Sequence, residues 1–465
     1  MRKISLVILL SFVLVCLPTN VFSEDLQWDA SHINGFGDTL KYGLIGSGEA
    51  VLSNAILSVF NIYFAKASWA KPTAYSIKRN FTTPWDWPDG DRFLVNQAGH
   101  SYQGALYNTA GRVNGFGFYG SIFFSALGSF TWEVFGESLR AAGNDLAVTT
   151  FASLSLGEML YRLYVEASVR GVPRPLTFLI DPMASFHHLV TGEKPPAAGK
   201  NIYQFQSFVG VGYARLHNTF SGDIKEKISF TSLFPEIGIK VIYGNPYEQD
   251  TWVPYRQFDL FLSVALNPGR YHELKLVSDG YLFSFSPVYS DTDKMSTGLS
   301  LQFDLVAEER MYKQKAAINN YSNALDWTIK YQHLFSDDMT INVKLHGGFT
   351  FLGASEHEYL SMARIFNLAY GINAKRSYCF EFDKRNSLEL ERLFYMMWTY
   401  PGTSPEPPGT VLSSYNYLTY SHFVTENISL CLTGSYILER SSFDDGHPDT
   451  HKTNKAVKLF AAWNL

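Results

Sequence analysis

The chain of 465 residues is poor in cysteine, in charge and in recognisable catalytic motifs. It has only 3 cysteines, none at a spacing typical of metal ligands, and only 17% of its residues are charged. A net charge of -5 without a Lys/Arg cluster argues against a nucleic-acid partner. Neither a Gly-x-Ser-x-Gly nor a His-Glu-x-x-His pattern occurs. We therefore predict no cofactor.

Aromatic residues, by contrast, are abundant at 16% of the chain. The mean hydropathy is nevertheless close to neutral, at -0.07, so apolar and polar residues must be interleaved. This combination suits a transmembrane barrel, in which each strand faces lipid on one side and a polar lumen on the other. It also fits a soluble β-rich protein, so composition alone leaves both classes open.

The N-terminus has the pattern of a Sec signal peptide. Arg2 and Lys3 precede an apolar run over residues 4–17, and Ser23 is a small residue at a plausible cleavage position. Cys16 raises the alternative of a lipoprotein, but Val15 before it is a poor match to such signals. We predict cleavage after Ser23 and an exported mature chain.

Two-residue alternation dominates the sequence after a Pro/Gly-containing linker at residues 194–202. A strand with one apolar face is the structure that this period predicts. The clearest segments have apolar sets on one face, namely Phe258, Leu260, Leu262, Val264 and Leu266; Leu299, Leu301, Phe303 and Leu305; Leu325, Trp327, Ile329 and Tyr331; and Ile341, Val343, Leu345, Phe349 and Phe351. Asp304, Asp326, Lys330, Lys344 and Glu389 are assigned to the opposite, lumen-facing set.

We expect about 12 such segments over residues 203–465, most of them about ten residues long, as a tilted bilayer crossing requires. Tight turns alternate with longer polar loops from Ala324 onward. Upstream of these, Asp279-Gly280 is interpreted as either a bulge or a turn. The predicted fold class is α+β: a signal peptide (1–23), a helical domain (24–193), the linker (194–202) and an antiparallel outer-membrane β-barrel (203–465).

The last predicted strand places Val457, Leu459, Ala461 and Trp463 on one face. This resembles the C-terminal strand of outer-membrane barrels, although those usually end in Phe or Trp and this chain ends in Leu465. The resemblance implies two partners, outer-membrane lipids and the barrel assembly machinery. A periplasmic or membrane protein of unknown identity is a third possible partner.

The N-terminal half shows helical spacing instead. Helices are predicted over residues 48–64, 93–113, 119–137 and 145–167. Small and polar residues recur along one seam of each of the last three helices, and small residues let helix backbones approach closely. The seam residues are Asn96, His100, Gly104, Tyr107 and Gly111; Ser121, Ser125, Ser129, Glu133 and Glu137; and Ser155, Glu158 and Arg162.

Residues 85–192 resemble an uncharacterised bacterial family, a domain of unknown function found in exported, barrel-bearing proteins. The resemblance rests on Asn96-Gln97-Ala98-Gly99-His100, Gly104, Tyr107, Arg112, Gly115, Ser129, Trp132-Glu133, Glu137, Asn144-Asp145, Gly157-Glu158, Arg162 and Asp181-Pro182-Met183. His187-His188 departs from the Asn-Arg pair expected there. The family implies this architecture and brings no established activity.

The seams predict that His100, Glu133, Glu158 and Arg162 converge between three helices. Two interpretations stay open. The four residues form a buried structural cluster with an intrahelical Glu158–Arg162 pair, or they form a catalytic acid/base site, with His100, Glu133 and Glu158 as weak metal candidates. The sequence favours the structural role.

Three functions remain open at this stage. The first is a non-enzymatic outer-membrane barrel whose helical domain is periplasmic or plugs the lumen. The second is a lipid-active enzyme that uses the His/carboxylate cluster. The third is a channel or small-solute transporter with the helices as gate.

Overall fold

The computed structural model describes residue 33 and residues 35–87, 91–196, 201–220, 227–247, 250–267, 271–309, 318–356, 366–400, 409–444 and 449–464. The chain divides into two compact units, Met1–Asn201 and Ile202–Leu465. The signal-peptide prediction and the terminal Leu465 lie outside the described residues, as does the linker segment 197–200.

The first unit is helical. Its helices are α1 (Phe36–Tyr63), α2 (Ala74–Thr82), α3 (His100–Val113), α4 (Ile122–Phe135), α5 (Gly143–Val169), α6 (Arg174–Ile180) and α7 (Pro182–Thr191). A π-helical turn, Val95–Gly99, leads directly into α3, and π-turns of this kind are frequent at functional sites. Helices α3, α4 and α5 pack on one another, as the polar seams predict.

Helix α1 differs from its prediction, because it begins at Phe36 instead of residue 48. Gly46 therefore lies inside the helix, where a Cβ would come within 2.8 Å of the Phe124 ring. This glycine permits a close helix contact and does not start a helix. By length and composition α1 is also the one helix, among the described residues, that is apolar enough to cross a membrane.

The second unit is a closed antiparallel barrel in which each strand pairs with its sequence neighbours and β1 pairs with β12. The closure confirms the predicted fold class and the strand number of 12. The strands are β1 (Ile202–Phe220), β2 (Lys227–Tyr243), β3 (Phe258–Asn267), β4 (Tyr271–Tyr289), β5 (Asp293–Glu309), β6 (Asn320–Ser336), β7 (Met339–Glu356), β8 (Phe366–Phe382), β9 (Asn386–Thr399), β10 (Gly409–Phe423), β11 (Ile428–Phe443) and β12 (Thr450–Asn464).

The strands are longer than predicted, since most have 14 to 19 residues. About ten residues suffice to cross a bilayer at barrel tilt, so the strand ends extend beyond the apolar band. Asp279 and Gly280 lie inside β4, and the register shift falls just after them, between Tyr281 and Phe283. A Cβ on Gly280 would come within 2.3 Å of the Tyr255 ring, which explains the glycine without a turn.

Burial alternates along most strands as the sequence predicts, but Leu301, Phe303 and Leu305 of the predicted outer face of β5 are almost fully buried. On β6, Leu325 and Trp327 are exposed on the outer face, whereas Asp326, Thr328 and Lys330 are buried inside the barrel. On β12, Val457, Leu459 and Trp463 are likewise exposed, each by more than 40%. An apolar outer face around a closed, polar-lined barrel is the arrangement of an outer-membrane protein.

This alternation gives a test of facing. Ile329→Lys places a charge on the lipid-facing side and should lower stability by about 2–4 kcal/mol near the bilayer midplane. Asn342→Lys should be tolerated, because Asn342 borders an internal cavity. The measurement is the yield of heat-modifiable, membrane-inserted protein on gels.

Inward positions are not all equivalent controls in that test. Thr328 and Ser263 are buried among neighbouring side chains, so a lysine at either would be crowded as well as charged. Equal assembly of Ile329→Lys and Asn342→Lys would contradict either the register or the membrane location.

Candidate functional site

A carboxylate between two guanidinium groups lies at the centre of the helical unit. Glu158 on α5 contacts Arg162 Nε at 2.7 Å, one turn along the same helix, and Arg112 Nε of α3 at 2.8 Å. The three side chains are almost completely buried, and the Arg112 guanidinium also lies 5.2 Å from the centre of the Tyr161 ring. The predicted intrahelical pair is therefore one half of a buried interhelical ion triad.

His100 contacts α5 at a different point. Its Nδ1 lies 3.4 Å from Thr149 Oγ1 and its Nε2 lies 3.7 Å from Asp145 Oδ2. Thr149 and Asp145 are one turn apart, so a single imidazole bridges the start of α3 to one face of α5. Asn144, beside Asp145, donates to Asn96 Oδ1 of the π-helical turn at 2.8 Å. These contacts fasten the π-turn to the first turn of α5.

Glu133 lies in a third environment. Its side chain is fully buried near the end of α4, and its Oε2 accepts the backbone N–H of Ala142 at 2.8 Å. Ala142 is the residue immediately before α5. The carboxylate thus holds the α4–α5 connection in place.

All four predicted site residues are buried, and each makes contacts that position a helix. Glu158 and Arg162 meet, whereas His100 contacts Asp145 and Glu133 contacts a backbone amide. Among the described residues, no group of three or more His, Cys, Asp or Glu side chains is arranged to hold a metal ion. The weak metal set of His100, Glu133 and Glu158 does not come together.

The sequence missed a second polar cluster, between α1 and α7. Glu49 accepts from Asn114 Nδ2 at 2.7 Å and contacts His187 Nδ1 at 2.7 Å. Burial favours the neutral His187 ring, but the Glu49 carboxylate outweighs it and raises the pKa of His187. Burial and the charge of His187 lower the pKa of His188 to about 4. The pKa values of these two adjacent histidines are therefore shifted in opposite directions.

Asp181 is a fully buried carboxyl of this unit. It caps α7 by accepting the backbone N–H of Ala184 at 3.0 Å, and it accepts the Thr109 hydroxyl at 2.8 Å. Burial still raises the pKa of Asp181 to about 7, against the effect of those two hydrogen bonds. The capping of α7 explains why an aspartate lies at this buried position.

The barrel interior is crossed by ion pairs between strands that are not neighbours. Lys330 of β6 reaches Asp259 of β3 at 3.1 Å, and Lys344 of β7 contacts the same carboxylate. Further cross-lumen pairs join Lys240 to Glu389, Lys275 to Glu391, Lys375 to Asp304, and Lys458 to Glu236 and Glu273. The charges assigned to the lumen from sequence are therefore mostly paired.

These ion pairs surround a cavity of about 520 Å³, called here the lumenal cavity. It lies toward the end of the barrel at which β1 begins and β12 ends, because Gln204 and Asn464 line it. Its charges are nearly balanced. The lining includes the cations Lys240, Lys275, Lys330, Lys344, Lys375, Arg376 and Lys458, and the carboxylates Glu236, Asp259, Asp279, Glu381, Glu389 and Glu391.

A layer of apolar side chains packs together inside the barrel beyond this cavity. We call it the septum, and its members are almost fully buried: Leu216, Val306, Ile318, Leu393, Tyr395, Tyr415 and Ile437. They come from five strands and from the connection before β6. Tyr395 is further held by its hydroxyl, which donates to Asp304 Oδ2 at 2.8 Å.

Cys379 in β8 and Cys431 in β11 are free thiols. Cys379 borders the lumenal cavity together with Cys431. No disulfide joins them in this structure.

The model of a family described as "Domain of unknown function (DUF3943)" matches residues 84–183. This confirms the resemblance over residues 85–183. No curated protein matches the sequence. The protein is an outer-membrane β-barrel with an N-terminal helical domain.

Solved structures with some similarity are themselves barrels. An outer membrane channel from Pseudomonas putida F1 is 12% identical, with a TM-score of 0.31, over 58% of this chain and 97% of that one. A Pseudomonas aeruginosa FadL homologue is 10% identical, with a TM-score of 0.25, over 56% and 90% of the two chains. The NanC porin is 7% identical, with a TM-score of 0.25, over 54% and 100%. Similarity this low does not extend to function.

Proposed function

We propose that the barrel is a conduit for small polar solutes that the septum closes in the state observed. The observation that carries the proposal is the sequence of layers inside the barrel. A cavity lined by six lysines, one arginine and six carboxylates is followed by a thin apolar layer. A cavity with nearly balanced charge suits neutral or zwitterionic solutes better than ions of one sign.

The same layers explain why the closed state is stable. The septum removes apolar side chains from water, and each buried Leu or Tyr side chain contributes roughly 1.5–3 kcal/mol. The cross-lumen ion pairs also hold opposite walls together, as Lys344 and Lys330 do for β3. Passage would require the septum side chains to move, while the barrel wall itself stays closed.

The test is solute influx into liposomes that contain the purified protein. Removing Leu393 and Tyr395 together (Leu393→Ala, Tyr395→Ala) deletes packing worth about 2–5 kcal/mol at each position. We expect the rate of influx of a small sugar to rise by roughly tenfold or more over the wild type, since 1.4 kcal/mol already corresponds to tenfold.

The matched control is Leu388→Ala with Phe394→Ala, which removes an aliphatic and an aromatic side chain from the outer face of the same strand. It should leave influx at the wild-type rate. A septum variant that assembles fully but stays impermeable would contradict the conduit and leave the barrel as a membrane anchor.

A lipid-active enzyme remains the second candidate, and one observation favours it. Thr149, His100 and Asp145 make contacts in the order of a nucleophile, a base and an acid. All three are buried, so a substrate would need the helices to separate. Loss of lipid hydrolysis in Thr149→Ala, with folding intact, would support this candidate, and absence of any hydrolysis in the wild type would remove it.

We also propose that the chain is exported by a Sec signal peptide and assembled by the barrel assembly machinery. The support is the N-terminal pattern of residues 1–23 and the apolar outer face of β12. A mature protein that starts at Glu24 in N-terminal sequencing agrees with this route. A chain that keeps its N-terminus, or one that is lipidated at Cys16, would contradict it.

A further inference from the structure

The outer face of the barrel carries cations where a lipid-facing surface should be apolar. Arg215 of β1 and Lys455 of β12 are directly paired across the two strands, and both side chains are exposed. Among the described residues neither forms an ion pair, although Lys455 Nζ lies 5.5 Å from the centre of the Tyr436 ring. A charge near lipid is costly unless it lies at the interface or meets an opposite charge.

The strand register extends this pair into a polar row. Lys455 pairs with Tyr436 of β11, and Tyr436 pairs with Asn416 of β10. Four neighbouring strands therefore present Arg215, Lys455, Tyr436 and Asn416 side by side on the outer face. The carboxylate within these four strands, Glu439, lies on the inward face and contacts Lys452 inside the barrel.

A second row, two residues further along each strand, is apolar. Tyr213 pairs with Val457, Val457 with Gly434, and Gly434 with Leu418. Successive residues on one face of a strand are about 6.6–7 Å apart, so the two rows are adjacent. On β1 and β12 the outward residues beyond the apolar row stay apolar, and those beyond the polar row are polar.

The two rows enclose an outer groove of about 620 Å³. Its floor is at Gly434, where a Cβ would have no neighbour within 4 Å. One side offers Arg215, Lys455, Asn416 and Tyr436, and the other side offers Tyr213, Leu390, Leu418 and Val457. The groove thus has a cationic end and an apolar end on the surface that lipid covers.

We propose that this groove binds one phosphate-bearing lipid of the surrounding bilayer. Arg215 and Lys455 contact the phosphate oxygens, and an acyl chain lies along Leu418, Leu390 and Val457. Charge complementarity identifies the headgroup as anionic, since the groove brings two cations and no carboxylate. The inference is independent of whether the lumen conducts.

The experiment is native mass spectrometry of the full mature chain in micelles that contain equal amounts of phosphatidylglycerol and phosphatidylcholine. The wild type should retain one phosphatidylglycerol in preference to phosphatidylcholine. Arg215→Gln with Lys455→Gln should weaken that retention by roughly tenfold or more, because two charge-assisted hydrogen bonds are lost.

A second variant tests the groove without changing its charge. Gly434→Leu fills the floor and should also abolish the bound lipid, whereas Gly347→Leu is the matched control. Gly347 is an exposed glycine of β7 that likewise has open space at its Cβ position. Arg376→Gln on β8 is the control for removal of an exposed cation that does not line this groove.

Heat-modifiable mobility shows which variants have assembled. Equal retention of both lipids by the wild type, or unchanged retention in Gly434→Leu, would overturn the proposal. Displacement of the bound lipid by millimolar inorganic phosphate would overturn the commitment to a lipid, because the cations would then take a free anion.

Discussion

Glu158→Gln is expected to unfold the helical unit while leaving the barrel assembled. The substitution removes the carboxylate charge that contacts both Arg112 and Arg162, and the two guanidinium groups stay buried. Breaking a buried ion pair by removing one partner lowers stability by about 3–5 kcal/mol. A typical domain has only about 5–15 kcal/mol in total, so the loss is a large share.

The measurement is hydrogen exchange of the backbone amides of α3 and α5 in the full chain, with heat-modifiable mobility as the readout for the barrel. Asp86→Asn is the matched control, because Asp86 pairs with Arg140 at 3.2 Å on the surface and both side chains are at least 40% exposed. Its effect should stay below about 1 kcal/mol. Unchanged protection in Glu158→Gln, together with a lost phenotype, would instead favour a catalytic cluster.

The barrel was predictable because its signal is local. Strands that face lipid on one side and a polar lumen on the other alternate every two residues, and that period can be read without any long-range information. Leu325, Asp326, Trp327 and Lys330 each lie on the predicted side for this reason. Strand ends were less predictable, since strands that extend beyond the apolar band have polar residues on both faces.

The pairings inside the two units could not be predicted in the same way. The seam spacing correctly placed His100, Glu133 and Glu158 in the interior, because burial follows helical periodicity. Which partner each residue meets depends on how far one helix slides along another. His100 contacts Asp145, and Glu133 accepts the N–H of Ala142, which are partners that the seam spacing did not indicate.

The contacts between side chains inside the barrel could not be predicted from the sequence either. Alternation indicates that Lys344 and Asp259 both point inward, but they belong to β7 and β3 and meet only because the barrel closes. The septum likewise collects side chains from strands far apart in sequence, such as Leu216 and Tyr395. Closure of the barrel, a global property, decides which inward residues become neighbours.

Gly104→Ala tests the inference that small residues set the distance between helices. A Cβ at position 104 would lie 2.1 Å from the carbonyl oxygen of Thr149 and 3.1 Å from its Cγ2. Because the nearest atom belongs to the α5 backbone, α3 and α5 would have to separate. Overpacking of this kind destabilises by about 1–3 kcal/mol or more. This loss of stability exceeds the gain of about 0.5–1 kcal/mol that replacing glycine by alanine brings within a helix.

The displaced Thr149 would also lose its contact with His100 Nδ1, now at 3.4 Å. We therefore expect a lower denaturation midpoint and faster amide exchange in both α3 and α5. Gly48→Ala is the matched control, since Gly48 is an exposed residue of α1 whose Cβ position has no neighbour within 4 Å. It should stabilise its helix slightly, because only the propensity gain remains. If both alanine variants raised stability equally, the close approach of α3 and α5 at Gly104 would be wrong.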